Sequence, residues 1–412
     1  MQKFALIGKT LKHSYSKKIH SMLGSYTYDL VELEPQELKS FILKKEYKGF
    51  NINIPYKKDI IAFLDEIDER AKKIGAVNTV VCKNGKLLGY NTDFDGMIYA
   101  LKSAKIEVGQ KNVLILGSGG TSNTAKAVAE FLGAKNVKIL SRSGEINYQN
   151  YDKTAKETQI VINTTPVGMY PDNYSCLIDL ACFNKLEGVL DVVYNPAMTM
   201  LLKKARDLGV KYINGLPMLV AQAKFASELF LDNKLDDNLT ENVIKKLSKE
   251  SKNLVLIGMP GCGKTTIGKQ VAQILEKEFI DTDAVIEQKA GKTIPEIFAK
   301  DGEEYFRKIE SEVLMEVGRL SNKVISTGGG VVKKSQNYFS LKQNGVIVWL
   351  KRETDLLASE NRPLSKGKEE IKNLYKQRKD LYLLFSDGEV SNDVDIDSAI
   401  KKVVNVYENF SY

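Results

Sequence analysis

The stretch from Gly258 to Thr265 constrains this chain more than any other. It reads Gly-Met-Pro-Gly-Cys-Gly-Lys-Thr: a glycine, four residues, then glycine, lysine and threonine. An apolar run, residues 254–257, leads into it, and a helical pattern, residues 267–275, leads out. A strand that turns into a helix through such a loop can point several backbone N–H groups at phosphate oxygens. Gly258, Gly261 and Gly263 permit the turn, with Cys262 and Thr266 completing the contact set. Lys264 can then reach the outer phosphates, and the Thr265 hydroxyl can ligate Mg²⁺. Helical patterns between short apolar strands through the rest of the chain imply a parallel sheet covered on both faces. The expectation is a phosphotransferase of α/β class over residues 252–412 that uses ATP or GTP with Mg²⁺.

A chain of 412 residues is too long for one core, so a separate machine is expected upstream of the loop. The net charge of +8 is spread along the length, without a lysine or arginine block or a zinc-finger spacing. Nucleic acid is therefore not an expected partner, whereas small anionic substrates are. Cys82, Cys176, Cys182 and Cys262 form neither a metal-ligand pattern nor a disulfide framework. With two histidines in the chain, a histidine-based metal site is not expected. No signal peptide and no apolar run of transmembrane length is present, so a cytoplasmic enzyme without a membrane partner is expected. The sequence leaves homo-oligomerisation open.

The first hundred residues alternate short strand and helix patterns. Asn84-Gly85 between residues 77–81 and 86–90 is a hairpin signal. Asp93 is expected to cap a helix running to about residue 104. Residues 113–116 then run straight into Gly117-Ser118-Gly119-Gly120-Thr121-Ser122 and a helix of small residues, followed by a second strand at 137–140. Strand, glycine turn, helix and strand make the first unit of a dinucleotide-binding fold, although the glycines are spaced GxGGxx. Ser141-Arg142 follows the second strand, where an NAD site wants an acid. An arginine there fits a 2′-phosphate, so NADP(H) is the expected coenzyme. The chain turns polar and charged at 233–252, with no broad apolar face, and the linker is expected at 236–251.

Residues 1 to about 235 resemble shikimate dehydrogenase. The likeness rests on His13-Ser14-Tyr15-Ser16, Asn51 to Lys57, Gly75-Ala76-Val77-Asn78-Thr79, Asn91-Thr92-Asp93, the Gly117 turn, Asn163-Thr164-Thr165-Pro166 and the stretch from Gly215 to Gln222. It implies a substrate domain at 1–100, completed by 215–235, and a Rossmann-like NADP domain at 101–214. The implied reaction is reduction of 3-dehydroshikimate by NADPH. Ser14, Ser16, Asn53, Asn78, Asn91 and Gln222 are implied to hold the substrate, with Lys57 as general acid and Asp93 as its partner. Gly117, Gly119, Gly120, Thr121, Ser141, Arg142, Asn163, Thr164, Tyr194, Gly215 and Met218 are implied at the coenzyme. Asn53 and Ser141 stand where the family usually has threonine and asparagine. Residues 144–157 are shorter and less helical than the family's crossover.

Residues 252–412 resemble shikimate kinase, of the nucleoside-monophosphate-kinase type of fold. The motifs are the phosphate loop, Asp281-Thr282-Asp283, Gly302-Glu303 with Phe306-Arg307 and Glu310, Gly328-Gly329-Gly330, Arg362-Pro363-Leu364, and Arg378 with Tyr382. The resemblance implies that Arg307 and Arg378 bind the shikimate carboxylate, with Gly329 and Gly330 approaching through backbone. Asp283 is implied to orient the accepting hydroxyl. Asp281 with Thr265 would serve the metal, and Lys264 with Arg362 the transferring phosphoryl group. Arg362 falls in a lid expected at about 354–370. A second arginine usual upstream in the lid is missing from residues 356–360. Two rival readings are a quinate-type NAD dehydrogenase joined to another kinase, and a metabolite sensor. Arg142, Arg307 and Arg378 oppose the first; the full set Lys57, Asp93, Lys264, Thr265 and Asp283 opposes the second.

Overall fold

The computed structural model describes residues 2–11, 14–357 and 368–410. The chain divides into two compact units, one of residues up to Asn195 with Thr199–Lys246, the other of Leu247 onward with Pro196–Met198.

The first unit holds two sheets. In the first, strand Lys3–Gly8 lies between Thr27–Glu32 and Gly49–Ile52, parallel to both. Its residues Phe4, Ala5, Leu6 and Ile7 are all buried, the continuous apolar run of a strand covered on both faces. Thr79–Lys83 and Lys86–Tyr90 extend the sheet antiparallel, and Glu66–Ile67 closes it. The hairpin between them turns through Asn84 and Gly85, both at positive φ (53° and 80°), the conformation a two-residue primed turn requires. The second sheet is wholly parallel, in the order Lys211–Ile213, Gly188–Asp191, Ile160–Asn163, Asn112–Leu116 and Asn136–Leu140.

Helices Thr92–Ser103 and Leu216–Leu231 pack closely in this unit. Gly96 makes this possible, because a Cβ there would fall 2.7 Å from the Met218 carbonyl oxygen. The second of these helices also returns to the first sheet: Phe230 stacks on Phe4 at 4.5 Å, and Ser227 Oγ lies 2.7 Å from the Tyr26 hydroxyl. The cap of the Thr92–Ser103 helix differs from the expectation. Asn91 supplies it, its Oδ1 accepting the Phe94 N–H at 3.3 Å, and Asp93 stands in the first turn. Asn fits this role as well as Asp, which left Asp93 available for another partner.

The stretch expected as a linker is helix Asp237–Ser251, and the boundary between units falls within it. Thr240, Val243 and Leu247 are buried, a narrow stripe at i, i+3 and i+7. A search for a broad apolar face passes over so thin a stripe.

The second unit is built on a five-stranded parallel sheet, ordered Glu278–Asp281, Lys323–Ser326, Asn253–Ile257, Gly345–Lys351 and Gly388–Ser391. The strand before the phosphate loop is therefore central, and Leu254, Val255, Leu256 and Ile257 are fully buried. Helices Thr282–Ala290 and Ser335–Lys342 and the edge strand Gly388–Ser391 add to the elements read from sequence. At the base of this sheet two buried lysines meet. Lys252 Nζ donates to the carbonyls of Tyr407 (2.9 Å) and Phe410 (3.0 Å). Lys277 Nζ donates to the Lys252 carbonyl at 2.9 Å, and both ammonium groups lie over the Tyr407 ring. No described helix is long and apolar enough to cross a membrane.

Candidate active sites

A cleft of about 460 Å³ opens in the first unit. Ser14, Ser16, Asn53, Lys57, Asn78, Asp93 and Gln222 line it, together with Thr121, Tyr194, Gly215 and Met218. Lys57 sits in the turn that follows strand Gly49–Ile52 and the cis Ile54–Pro55 bond. The turn is held from both sides. The fully buried Tyr56 donates its hydroxyl to the Leu33 carbonyl, and the Lys57 carbonyl accepts the Val77 N–H at 2.8 Å. Lys57 Nζ lies 2.7 Å from Asp93 Oδ2, and both side chains are partly exposed to the cleft. Asn78 Oδ1 accepts the Thr92 N–H at 2.7 Å, which ties the hairpin to the helix that carries Asp93. Ser14 Oγ accepts the Ser16 N–H at 3.2 Å. Tyr15 and Tyr194 meet edge to face across the cleft, ring centres 5.8 Å apart.

Asn91 is not brought to this cleft. Its side chain is buried, donating Nδ2 to the Ala76 carbonyl at 2.9 Å while Oδ1 caps the helix. Both ends of its amide are engaged by backbone, and unlike Asn78 it does not line the cleft.

The coenzyme residues divide in the same way. Gly117 adopts φ +106°, and a Cβ there would press on the Thr164 hydroxyl at 2.9 Å. Gly119 and Gly120 open helix Gly120–Phe131, and a Cβ at either would meet no atom within 4 Å. Their lack of a side chain leaves the helix N-terminus open to an anion. Ser141 and the exposed Arg142 follow directly on strand Asn136–Leu140. Asn163 and Thr164 turn inward instead. Asn163 Nδ2 donates to Asp191 Oδ1 at 2.8 Å, and Thr164 Oγ1 donates to the Leu116 carbonyl at 2.7 Å. Asp191 is fully buried, and that burial pushes its carboxyl up to about 6. Their side chains fix the strand ends, leaving only backbone for a coenzyme. Residues 144–157 contribute a single bridge, Ile146 to Leu140, and the short helix Asp152–Ala155.

The second unit holds a cleft of about 610 Å³ around the phosphate loop. Gly258, Gly261 and Gly263 all take positive φ, 144°, 82° and 99°. Lys264 Nζ donates to the carbonyls of Gly258 and Met259 at 2.9 Å each. The Cys262 side chain is wholly buried, while its carbonyl accepts Asn392 Nδ2 at 2.9 Å. Thr265 Oγ1 donates to Asp281 Oδ2 at 2.8 Å, which joins the two residues expected at the metal. Asp281 also caps helix Thr282–Ala290 through the Asp283 N–H at 3.1 Å. Among the described residues no cluster of three or more histidines, cysteines or carboxylates could hold a metal unaided.

Across from the loop, two carboxylates are buried with an oxygen unpartnered, Asp283 Oδ1 and Glu310 Oε1. A Cβ on Gly328 would lie 2.7 Å and 3.2 Å from these atoms, so they converge on one spot. Burial first, and the neighbouring Asp281 charge second, push Asp283 up to about 6. Burial likewise raises Glu310, against the pull of Arg307. Arg307 Nη1 donates to Glu310 Oε2 at 2.7 Å, and its Nε and Nη2 reach Glu303 at 3.2 Å. Gly330 lies against that guanidinium so closely that a Cβ would fall 2.3 Å from Nη1. Arg378 Nη1 donates to the Gly329 carbonyl at 3.0 Å, and the Tyr382 hydroxyl donates to the same oxygen. A Cβ on Gly329 would meet Pro260 of the phosphate loop at 2.5 Å. Arg362, and with it most of the expected lid, lies outside the described residues. Sequence reasoning gave no site role to Glu310, Tyr382 or Arg352, all now beside the cleft or on its wall. For Arg352 the available signal was its place immediately after strand Gly345–Lys351.

Comparisons with known proteins divide the chain as its folding units do. The family model described as "Shikimate dehydrogenase substrate binding domain" matches residues 6–80, and that described as "Shikimate kinase" matches residues 260–408. The shikimate dehydrogenase (NADP(+)) of Clostridium beijerinckii is 35% identical over 273 residues, spanning 61% of this chain and 100% of that protein. That of Methanococcus maripaludis is 38% identical over 260 residues, 56% of this chain and 92% of its own. Among solved structures, a chorismate mutase/shikimate 5-dehydrogenase fusion protein from Clostridium acetobutylicum superposes with a TM-score of 0.58 at 31% identity, covering 60% of this chain and 98% of its own. The Thermus thermophilus shikimate 5-dehydrogenase, solved in complex with NADP(H) and shikimate, gives 0.55 at 27% identity, over 60% and 99%.

Proposed function

We infer, from a chain that belongs to the shikimate dehydrogenase family and carries a shikimate kinase domain behind that module, that one polypeptide catalyses two consecutive reactions of aromatic amino acid biosynthesis. The first reduces 3-dehydroshikimate to shikimate with NADPH. The second phosphorylates shikimate with ATP. One observation carries the reading: each cleft sets its own reactive groups beside side chains suited to the same small carboxylated polyol.

In the first cleft NADPH, when bound, supplies the hydride. Charge then builds on the ketone oxygen, and the Lys57 ammonium, held by Asp93 at 2.7 Å, stabilises that oxygen and gives it a proton. Asp93 keeps the lysine aimed. Ser14, Ser16, Asn53, Asn78 and Gln222 offer hydroxyl and amide partners for the substrate's carboxylate and hydroxyls. Tyr194, Gly215 and Met218 line the cleft on the coenzyme side. The open turn at Gly119 and Gly120 supports a pyrophosphate there, and Arg142 supports a 2′-phosphate.

In the second cleft the central strand, its loop and the five-stranded parallel sheet support a nucleoside-monophosphate-kinase type of fold. ATP supplies the phosphoryl group. Lys264 would turn from its two carbonyls to the phosphates, and Thr265 with Asp281 would hold Mg²⁺. Arg307 and Arg378 suit a carboxylate through paired N–H donors. Asp283 Oδ1 and Glu310 Oε1 need hydrogen-bond donors, and the hydroxyls of a polyol are such donors. Asp283 would orient the accepting hydroxyl and take its proton. Purified full-length chain given 3-dehydroshikimate, NADPH and ATP-Mg²⁺ should form 3-phosphoshikimate, read by mass spectrometry. Formation of shikimate with no phosphate ester would overturn the kinase half.

A further inference from the structure

Arg352 is the cation of the second cleft that the phosphoryl-transfer reading leaves without a task. It lines the cleft with the phosphate loop, and its Nε is buried without a hydrogen-bond partner. Among the described residues it forms no ion pair, whereas the preceding Lys351 is matched to Glu389 at 2.7 Å. A buried donor on a permanent cation that meets no acceptor among the described residues calls for an acceptor from outside.

Its position is fixed relative to the loop. Strand Gly345–Lys351 pairs directly with Asn253–Ile257, with Trp349 opposite Ile257. The two chains remain close beyond that pair, since a Cβ on Gly258 would fall 2.4 Å from the Leu350 carbonyl oxygen. Backbone on each side of Arg352 is anchored: the Lys351 carbonyl accepts the Asn392 N–H at 2.8 Å, and the Glu353 N–H donates to Asp393 Oδ1 at 2.7 Å. Asn392 in turn donates Nδ2 to the Cys262 carbonyl, inside the loop, at 2.9 Å. Arg352 thus leaves the sheet on the same frame that holds the phosphate loop, outside the segment expected as a lid.

We propose that Arg352 is a nucleotide-binding residue, a guanidinium that contacts the polyphosphate of the bound nucleotide from the C-terminal end of strand Gly345–Lys351. The proposal rests on the phosphoryl-transfer reading above. Residues 356–360 carry no arginine, and a cation on the frame that holds the loop would take up phosphate charge without waiting for closure. Arginine suits the role because its planar fork meets two phosphate oxygens at once.

The test titrates full-length chain with ADP and, separately, with inorganic tripolyphosphate, a probe that has no base. Arg352→Gln should weaken both by about tenfold or more, the scale of one charge-assisted hydrogen bond, and leave the KM for shikimate unchanged. Arg352→Lys, which keeps the charge without the fork, should recover part of the loss. Thermal unfolding of both variants at the wild-type temperature confirms that the fold is kept. Wild-type affinity in Arg352→Gln overturns the assignment, as does a loss seen with ADP alone, which would place the guanidinium on the base. Failure of the wild-type chain to bind ADP overturns the phosphoryl-transfer reading and the assignment with it.

Discussion

In the first cleft the reactive cation already has its counter-ion, with Lys57 Nζ 2.7 Å from Asp93 Oδ2. In the second, Lys264 rests on two backbone carbonyls, while Asp283 and Glu310 each bury an oxygen without a partner. The contrast follows from the chemistry assigned to each. A ketone reduction needs one acid, positioned before substrate arrives, and a persistent ion pair provides it. Phosphoryl transfer moves a concentrated negative charge that the resting protein cannot balance in advance. The second cleft is therefore completed by its ligands. Unsatisfied buried groups cost free energy until that happens.

The sharpest way to break this comparison is to remove the central carboxylate or ammonium from each cleft. Asp283→Asn should lower kinase kcat about 10³-fold and Lys57→Ala should lower dehydrogenase kcat about 10²-fold or more, the range of a lost acid or base. Each variant should leave the other reaction at its wild-type rate, measured in the same preparation. A loss of both activities from either change would mean that the clefts do not work separately.

A second difference concerns pH. Asp283 is raised to about 6 by burial, so it is protonated below that pH and cannot accept the hydroxyl proton. The kinase kcat/KM for shikimate, which reports the free enzyme, should fall about tenfold per pH unit below 6. Measured from pH 5 to 8, a flat profile would show that Asp283 is already ionised or is not the acceptor.

The coenzyme end of the first cleft gives a smaller effect. Arg142→Ala should raise the KM for NADPH about tenfold while that for NADH stays put, the cost of one charge-assisted contact to a 2′-phosphate. Equal weakening of both coenzymes would remove Arg142 from that contact.

The glycine spacing of the phosphate loop and the Asn84-Gly85 turn were legible in the sequence because each demands a particular backbone conformation. Family motifs singled out Ser14, Lys57, Asn78, Asp93 and Gln222, which the fold brings to one cleft from a loop, a turn, a hairpin and two helices. Asn91 and Asp93, two residues apart, could not be told apart as caps, since either side chain can accept an N–H at a helix start. Asn163 reads as a site residue, yet its amide meets Asp191, 28 positions away, a contact no local pattern contains. Helix Ser335–Lys342 was missed because Ser-Gln-Asn-Tyr-Phe-Ser-Leu-Lys has no clear period. Its burial is decided by what packs on it. Arg352 belongs to no motif, and only its place directly after strand Gly345–Lys351 could have drawn attention to it.

The two lysines at the base of the second sheet give that unit a proton balance of its own. Burial, then the nearby Lys249 charge for one and the Lys252 charge for the other, push Lys252 and Lys277 down to about 8. An unfolded chain keeps those protons up to its ordinary value of about 10.4. Between these limits the unfolded state binds more protons than the folded one, so the free energy of unfolding rises with pH across that window. Folding in mild alkali accordingly releases protons. Wild-type chain should gain denaturant resistance relative to a Lys252→Met, Lys277→Met variant as pH is raised from 8 to 10. A constant difference would mean that both ammonium groups keep their protons in the fold, held by the carbonyls and the Tyr407 ring.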